Sequence, residues 1–313
     1  MRDTFQVITP GVLTLVQDQG RVGFGQYGIS ASGAMDHFAL YAANLLAGND
    51  PGAAGLEITL YRLKVKVLRT VRVAITGADM HPVLDGQPIP MWQTVELPVG
   101  STLFFKDIGK GARAYLAVRG GLDTPLLLNS RSTHQKALLG RPLQKGDLLR
   151  TLPAETDPPL LRLPEEWIPT YSAPADIRVV MGPQDDAFTS QGIDSFLTGT
   201  YTITSESDRQ GYRLDGPSIE HVAGADIISD AILPGAIQVP GNGQPIIMMV
   251  DAQTTGGYTK IACVIRPDID VLAQMMPGRK IRFRKLTIQQ AHDLLRRQED
   301  RFLDLRNIMT LAP

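Results

Sequence analysis

Short runs of alternating or β-branched residues recur along the whole chain. LKVKVL (63–68) and KIRFRKL (280–286) alternate with period two, which suits strands that bury one face. VRVAITG (71–77), TVELPVGSTLFF (94–105), RAYLAVRGG (113–121), DIRVVMG (176–182), GTYTIT (199–204) and PIIMMV (245–250) are further β-rich runs. They return at intervals of roughly ten to fifteen residues, the spacing of barrels and sandwiches. The 30 glycines and 22 prolines fall between them as punctuation. Helical spacing occurs twice. MDHFALYAANLLA (35–47) has a start signal at Ser32 and a stop at Gly48. From Thr287 to Leu305, Thr287 can cap while Ile288, Ala291, Leu294 and Leu295 share one face.

The stretch TLPAETDPPLLRLPEEWIPTYSAP (151–174) holds six prolines and little periodicity. It reads as a linker or irregular crossover between two β-rich halves. The expected division is an N-terminal β-barrel-like domain over 1–150, the proline-rich segment over 151–175, a C-terminal β-barrel domain over 176–290 and a helical tail over 291–313.

Composition narrows the function classes. With 43% hydrophobic and 20% charged residues in 313, the chain can build a sizeable core. A formal net charge of -1 gives no bulk case for nucleic acid or an anionic membrane. The single cysteine, Cys263, forbids an internal disulfide. No apolar leader opens the sequence, and no run approaches the ~20 apolar residues of a membrane helix. The cytoplasm is the expected location.

Five polar, glycine-rich clusters interrupt the β background: Gly11–Gly33, SRST (130–133), GPQ (182–184), SESDRQGYRLDGP (205–217) and GAIQVPGNGQPIIMMVDAQTTGGYTK (235–260). In the last, a Met-rich strand ends at Asp251 and QTTGGY follows. Gly256 and Gly257 allow close backbone approach. Gln253, Thr254, Thr255 and Tyr258 offer amide and hydroxyl groups, and Lys260 offers a point charge. The competing reading is a hairpin turn with a threonine-rich rim. Asp208, Arg209, Tyr212 and Arg213 suit bidentate capture of a carboxylate, or a surface ion-pair network. Gln17, Asp18 and Arg21 surround a glycine turn in which Asp18 can equally accept backbone N–H groups. Arg131 suits an anion or a structural loop, and GPQ is too short to interpret. No Walker A sequence, GxSxG elbow or HExxH spacing occurs. Cys263, within IACVI, reads as a small buried apolar residue.

Taken in order, these clusters resemble one family: the C subunits of bacterial 5-oxoprolinase, also described as KipA-like proteins, allophanate hydrolase subunit 2 or biotin-dependent carboxyltransferases. The carriers are TLVQDQGRVGFGQYGISASGAMD, ANLLAGND, LEITL, VRGGLDTP, SRST, GPQDDAF, SDRQGYRLDGP, GAIQVPGNGQPI, DAQTTGGYTK and LAQMMPGRKIRF, in register from Val7 to Arg284. Three positions depart from the family pattern: Gln210, where an apolar residue is common; Asn129, in LNSRST; and Asp230, a shorter acid in SDA.

The resemblance implies a mainly β fold of two linked cyclophilin-like barrels with a few short helices. It implies partners, a KipI-like B subunit plus an A subunit, which open 5-oxo-L-proline to L-glutamate with ATP. Under it, Arg209 and Arg213 are expected as anion clamps. Thr254, Thr255, Gly256 and Gly257 are expected as the oxyanion-contacting loop, with Gln253, Tyr212 and Tyr258 lining the substrate. Asp208 and Asp251 would orient these groups, and Lys260 would supply charge. Two alternatives stand beside it: the carboxyltransferase half of a biotin-dependent, urea-carboxylase-like enzyme, and a non-catalytic module that binds a KipI-like inhibitor.

Overall fold

The computed structural model describes residues 2–154, 159–171 and 175–311. The chain divides into two units. Unit 1 comprises Met1–Arg21, Ser32–Tyr171 and Phe302–Pro313; unit 2 comprises Val22–Ala31 and Ser172–Arg301.

Unit 1 is built from two antiparallel sheets. One has six strands, in the order Leu148–Thr151, Arg2–Pro10, Leu63–Val67, Thr102–Phe105, Pro82–Leu84 and Gln87–Pro88. The other has five: Leu13–Gln17, Gly55–Thr59, Arg113–Val118, Val71–Gly77 and Thr94–Leu97. Inward residues of both sheets, among them Phe5, Val65, Leu103, Ile58, Ile75 and Leu116, form one apolar core. LKVKVL behaves as its pattern predicts, with Leu63, Val65 and Val67 buried and the lysines between them half-exposed.

Arg113–Val118 does not alternate: all six residues are buried. Ala114, Leu116 and Val118 enter the inter-sheet core. Tyr115 and Ala117 face a second apolar layer with the helix His37–Leu46, Leu305 and Met309. A strand covered on both faces loses the period-two signal. The helix is capped by Asp36, whose carboxylate accepts from Ala39 N–H at 2.9 Å, and not by Ser32, whose hydroxyl donates to Thr133 O at 3.2 Å. Gly48 ends it in the left-handed conformation at φ 70°.

The proline-rich stretch is not a free linker over its described part. Thr151 lies in a strand, and Leu161 and Leu163 are buried in the second apolar layer of unit 1, so the unit boundary falls at Tyr171. Residues 155–158 and 172–174 of that stretch lie outside the described residues.

Unit 2 closes into a seven-stranded barrel. Its order is Ala175–Met181, Lys260–Val264, Ala236–Gln238, Ile246–Met248, Gly211–Asp215, Tyr201–Ile203 and Lys280–Lys285. The closing pair, Ala175–Met181 with Lys280–Lys285, is parallel, and the other pairs are antiparallel. Phe283 stacks on Phe196 at a centroid distance of 4.4 Å, which fastens the helix Ser190–Thr198 to the barrel. A separate two-stranded ribbon pairs Asp226–Ala231 with Thr255–Tyr258. The fold is therefore mainly β, as the sequence implies, but among the described residues only unit 2 closes into a barrel. The C-terminal helix runs Ile288–Leu311.

Candidate functional site

The third, fourth and fifth polar clusters meet in unit 2, where two charged centres form. Strand Gly211–Asp215 alternates, so Tyr212 turns inward and Arg213 outward. Arg209, just before it, is 5% exposed and grips Asp251 bidentately, Nε to Oδ2 at 2.9 Å and Nη2 to Oδ1 at 3.1 Å. The Asp251 N–H also donates to Arg209 O at 2.9 Å. Asp208 is exposed and holds the turn, accepting from the N–H groups of Gln210 at 2.7 Å and Gly211 at 3.1 Å. Gln210 Nε2 donates to Gln253 Oε1 at 2.9 Å. Gln210, one of the three departures from the family pattern, thus ties the fourth cluster to the fifth.

Lys260 begins the next barrel strand and is 4% exposed. Its Nζ donates to Asp230 Oδ2 at 2.9 Å, and its backbone N–H donates to Gln184 Oε1 at 3.2 Å. The ammonium's hydrogen bond holds the Asp230 carboxyl below its usual range, helped by the Ala231 N–H. Asp230 keeps half its side-chain surface in water while Lys260 keeps almost none. The lysine is therefore a desolvated cation whose counter-charge sits at the rim.

Thr255, Gly256, Gly257 and Tyr258 form a strand of the ribbon and not a loop, with Gly256 opposite Asp230 and Thr255 opposite Ala231. Thr254 precedes it, and its carbonyl accepts from Ile232 N–H at 2.9 Å. A Cβ on Gly256 would lie 2.4 Å from Ile232 Cδ1 and 2.8 Å from Gln238 Nε2, so glycine lets the ribbon pack on the buried Gln238. Gln238 Nε2 donates to Tyr258 O at 3.3 Å.

The sequence-predicted residues therefore separate. Arg209, Asp251, Gln210 and Gln253 form one group; Lys260, Asp230, Gln184, Gln238 and the TTGGY ribbon form another. Arg213 joins neither. It is exposed and faces Glu206 at 3.6 Å, so it does not make a clamp with Arg209. In the sequence Gln184 lies in GPQ, too short to interpret alone, Gln238 carries no distinguishing pattern, and Asp230 stands out only as a departure from the family pattern. The signal for Gln184 was Gly182: a Cβ there would lie 2.2 Å from Lys260 O, so only glycine lets GPQ reach the lysine strand.

Gln17, Asp18 and Arg21 of the first cluster are joined to the second within unit 1. Asp18 accepts from the hydroxyl of Ser130 at 2.7 Å, from the hydroxyl of Ser132 and from Arg131 N–H at 2.6 Å. Arg21 donates to Ser132 O, and Gln17 Nε2 donates to Thr133 O at 3.0 Å. Arg131 pairs with Asp123 at 3.1 Å. Asp18 is thus the anchor of a crosslink spanning over a hundred residues, the structural alternative for that turn.

Among the described residues no group of histidine, cysteine, aspartate or glutamate is placed to hold a metal, and no helix is long and apolar enough to cross a membrane.

Comparison with known proteins accords with this architecture. The model of the carboxyltransferase domain, subdomains A and B, matches residues 27–285. The C subunit of 5-oxoprolinase from Escherichia coli is 40% identical over 91% of this chain and 92% of its own length. That of Haemophilus influenzae is 36% identical over 94% and 95%. The crystal structure of Kluyveromyces lactis urea carboxylase superposes with a TM-score of 0.90 at 30% identity, over 97% of this chain but only 29% of that one. The chain accordingly belongs to the carboxyltransferase domain family, the family that holds the 5-oxoprolinase C subunits of E. coli and H. influenzae.

Proposed function

We infer that this chain is the C subunit of a 5-oxoprolinase, working with partner subunits to open 5-oxo-L-proline to L-glutamate at the expense of ATP. The observation that carries the reading is the match to the E. coli protein, which takes in nearly the whole of both chains. A urea carboxylase role draws support from the superposition on the K. lactis enzyme, in which this region is under a third of a much longer chain.

The lactam is a resonance-stabilised amide. Transfer of the γ-phosphoryl group from ATP to its carbonyl oxygen yields an O-phosphorylated imidate. Water adds at the carbon, and breaking the C–N bond frees the amine and leaves an acyl phosphate at the other end of the opened chain. A second water releases phosphate and leaves glutamate. In the first addition charge gathers on the ring nitrogen, which takes up a proton to leave as the amine; in the second it builds on the carbonyl oxygen of the acyl phosphate, where a desolvated cation lowers the barrier.

Lys260 fits that role best. It is buried, and its acidic partner, Asp230, stands at the rim. Thr254, Thr255, Gly256 and Gly257 would carry the substrate edge past it along the ribbon. Gln253 and Tyr258 would contact the substrate from exposed positions. Arg209 and Asp251 would act as positioning residues for Gln210 and Gln253. ATP would be consumed by the assembly, whose other members would be a KipI-like B subunit plus an A subunit.

The test is ATP-dependent glutamate release from 5-oxoproline when this chain is mixed with its neighbouring gene products. Lys260→Met should lower kcat about a hundredfold or more, the order seen on losing one oxyanion-stabilising group, with folding retained. Full activity in the variant would remove Lys260 from the chemistry. No glutamate from soluble, complete subunits, with carboxyl transfer from carboxybiotin instead, would favour the urea-carboxylase reading.

A further inference from the structure

One buried amide in unit 2 is only half satisfied. Gln238 ends the barrel strand Ala236–Gln238 and is 2% exposed. Its Nε2 donates to Tyr258 O at 3.3 Å. A carbonyl can only accept, so this contact fixes which end of the carboxamide is nitrogen and turns Oε1 away from it. Oε1 accepts no hydrogen bond among the described residues, and it is not among the atoms closed off from water. Gln244 shows the structural alternative within the same unit. Its Nε2 donates to Gly216 O at 3.1 Å, and its Oε1 accepts from Gly216 N–H at 3.0 Å, so both ends are used. An acceptor left open on so buried a side chain is costly unless a donor arrives from outside.

The place of this oxygen says which donor. Gln238 and Lys260 are cross-strand partners where Ala236–Gln238 meets Lys260–Val264. Side chains of such partners share a face of the sheet, about 5 Å apart at Cβ. Both also reach the same rung of the ribbon. Lys260 Nζ meets Asp230 at 2.9 Å. Gln238 Nε2 lies 2.8 Å from where a Cβ of Gly256 would stand, and Gly256 is the residue opposite Asp230. An ammonium and an open amide oxygen are therefore carried side by side.

We propose that Gln238 is a specificity-determining residue, whose Oε1 accepts the ring N–H of the lactam while Lys260 faces the lactam oxygen. The inference rests on the 5-oxoprolinase reading and on the place of Lys260 in it. A small lactam is locked in the cis form, so its N–H and C=O point to the same side and can be met from one rung. An open-chain secondary amide is trans and points them to opposite sides. Gln238 thus selects a cyclic amide and sets its oxygen beside the cation before any phosphoryl transfer. It neither gives nor takes a proton.

Steady-state kinetics of the complete assembly test this, with the lactone analogue of 5-oxoproline, in which a ring oxygen replaces the N–H, as a competing ligand. In the wild type the lactone's inhibition constant should exceed the KM for 5-oxoproline about tenfold or more, because two acceptors then face each other. Gln238→Met is close in shape and lacks the amide oxygen. It should raise the KM for 5-oxoproline about tenfold or more and leave the lactone's constant within about threefold, with kcat reduced far less than in Lys260→Met. A merely structural glutamine would move both constants together. Equal constants for lactam and lactone in the wild type, a measurement that needs no variant to fold, would overturn the inference. So would a Gln238→Met enzyme with an unchanged KM, or one whose two constants rise alike. Either result, alongside a Lys260→Met enzyme that has lost turnover, would leave the 5-oxoprolinase reading standing. An assembly that releases no glutamate at all would remove both.

Discussion

Truncating Arg209 to alanine removes one half of an ion pair that water scarcely reaches. The side chains of Arg209 and Asp251 are 5% and 8% exposed, and two hydrogen bonds of 2.9 and 3.1 Å join them. Deleting the guanidinium leaves a carboxylate buried without its partner, a defect that costs about 3–5 kcal/mol. The peptide link between the same residues, Asp251 N–H to Arg209 O, survives the change and keeps the backbone in register. For a unit of this size, that loss lowers the melting temperature by about 10–20 °C. Arg209→Lys keeps the charge but loses the planar fork, so it should fall between. Replacing both residues with leucine removes the unpaired charge and should recover much of the single-variant loss. Calorimetry and hydrogen exchange of strand Gly211–Asp215 are the measurements. Tryptophan fluorescence would miss the effect, because Trp92 and Trp167 both belong to unit 1. A loss under about 1 kcal/mol for Arg209→Ala, or a double variant equal to the sum of the singles, would refute the desolvated-pair argument.

Gly182→Ala sets a methyl group 2.2 Å from the Lys260 carbonyl, so it should cost about 1–3 kcal/mol and reduce turnover; Gly224→Ala, with open space around it, should do neither. A carboxyl NMR titration should find Asp230 below the ordinary aspartate value, returning to it in Lys260→Met. Because the folded value is the depressed one, this pair's contribution is full above the unfolded pKa and fades as pH falls through the folded one; it should leave stability flat from about pH 6 to 8. Tyr115 donates to Glu57 and accepts from the Asp36 N–H, both at 2.8 Å, in full burial. Tyr115→Phe should therefore destabilise unit 1 by about 1–3 kcal/mol in denaturant melts followed by tryptophan fluorescence. A change under about 0.5 kcal/mol would show that water replaces the hydroxyl.

Much of the barrel could be read from alternation, and the places where it could not have physical reasons. KIRFRK alternates because one face is buried and the other wet. Arg113–Val118 has no such contrast, since a helix covers the face that the inter-sheet core does not. TTGGY carries turn residues, yet its glycines serve a ribbon strand that packs on Gln238 and Ile232. The helices Ser190–Thr198 and Arg266–Ala273 are short, and their local signals, a Thr189 cap and a proline in the first turn, are easily overlooked. At the candidate site, Lys260 and Asp251 stand out by type, but their partners are fixed by strand register. Nothing in the sequence spacing says that Asp230 will meet Lys260 or that Arg209 will face Asp251 while Arg213 turns away.

The parallel pair that closes the barrel joins Ala175–Met181 to Lys280–Lys285, so about a hundred residues separate the two strands that must meet. During synthesis, the first of them waits with one raw edge until the second has left the ribosome. Unit 1 waits too, since Leu305 and Met309 complete its second apolar layer. A nascent chain stalled before residue 280 would thus present sticky strand edges and uncovered apolar side chains together, the state in which a molecular chaperone has most to hold.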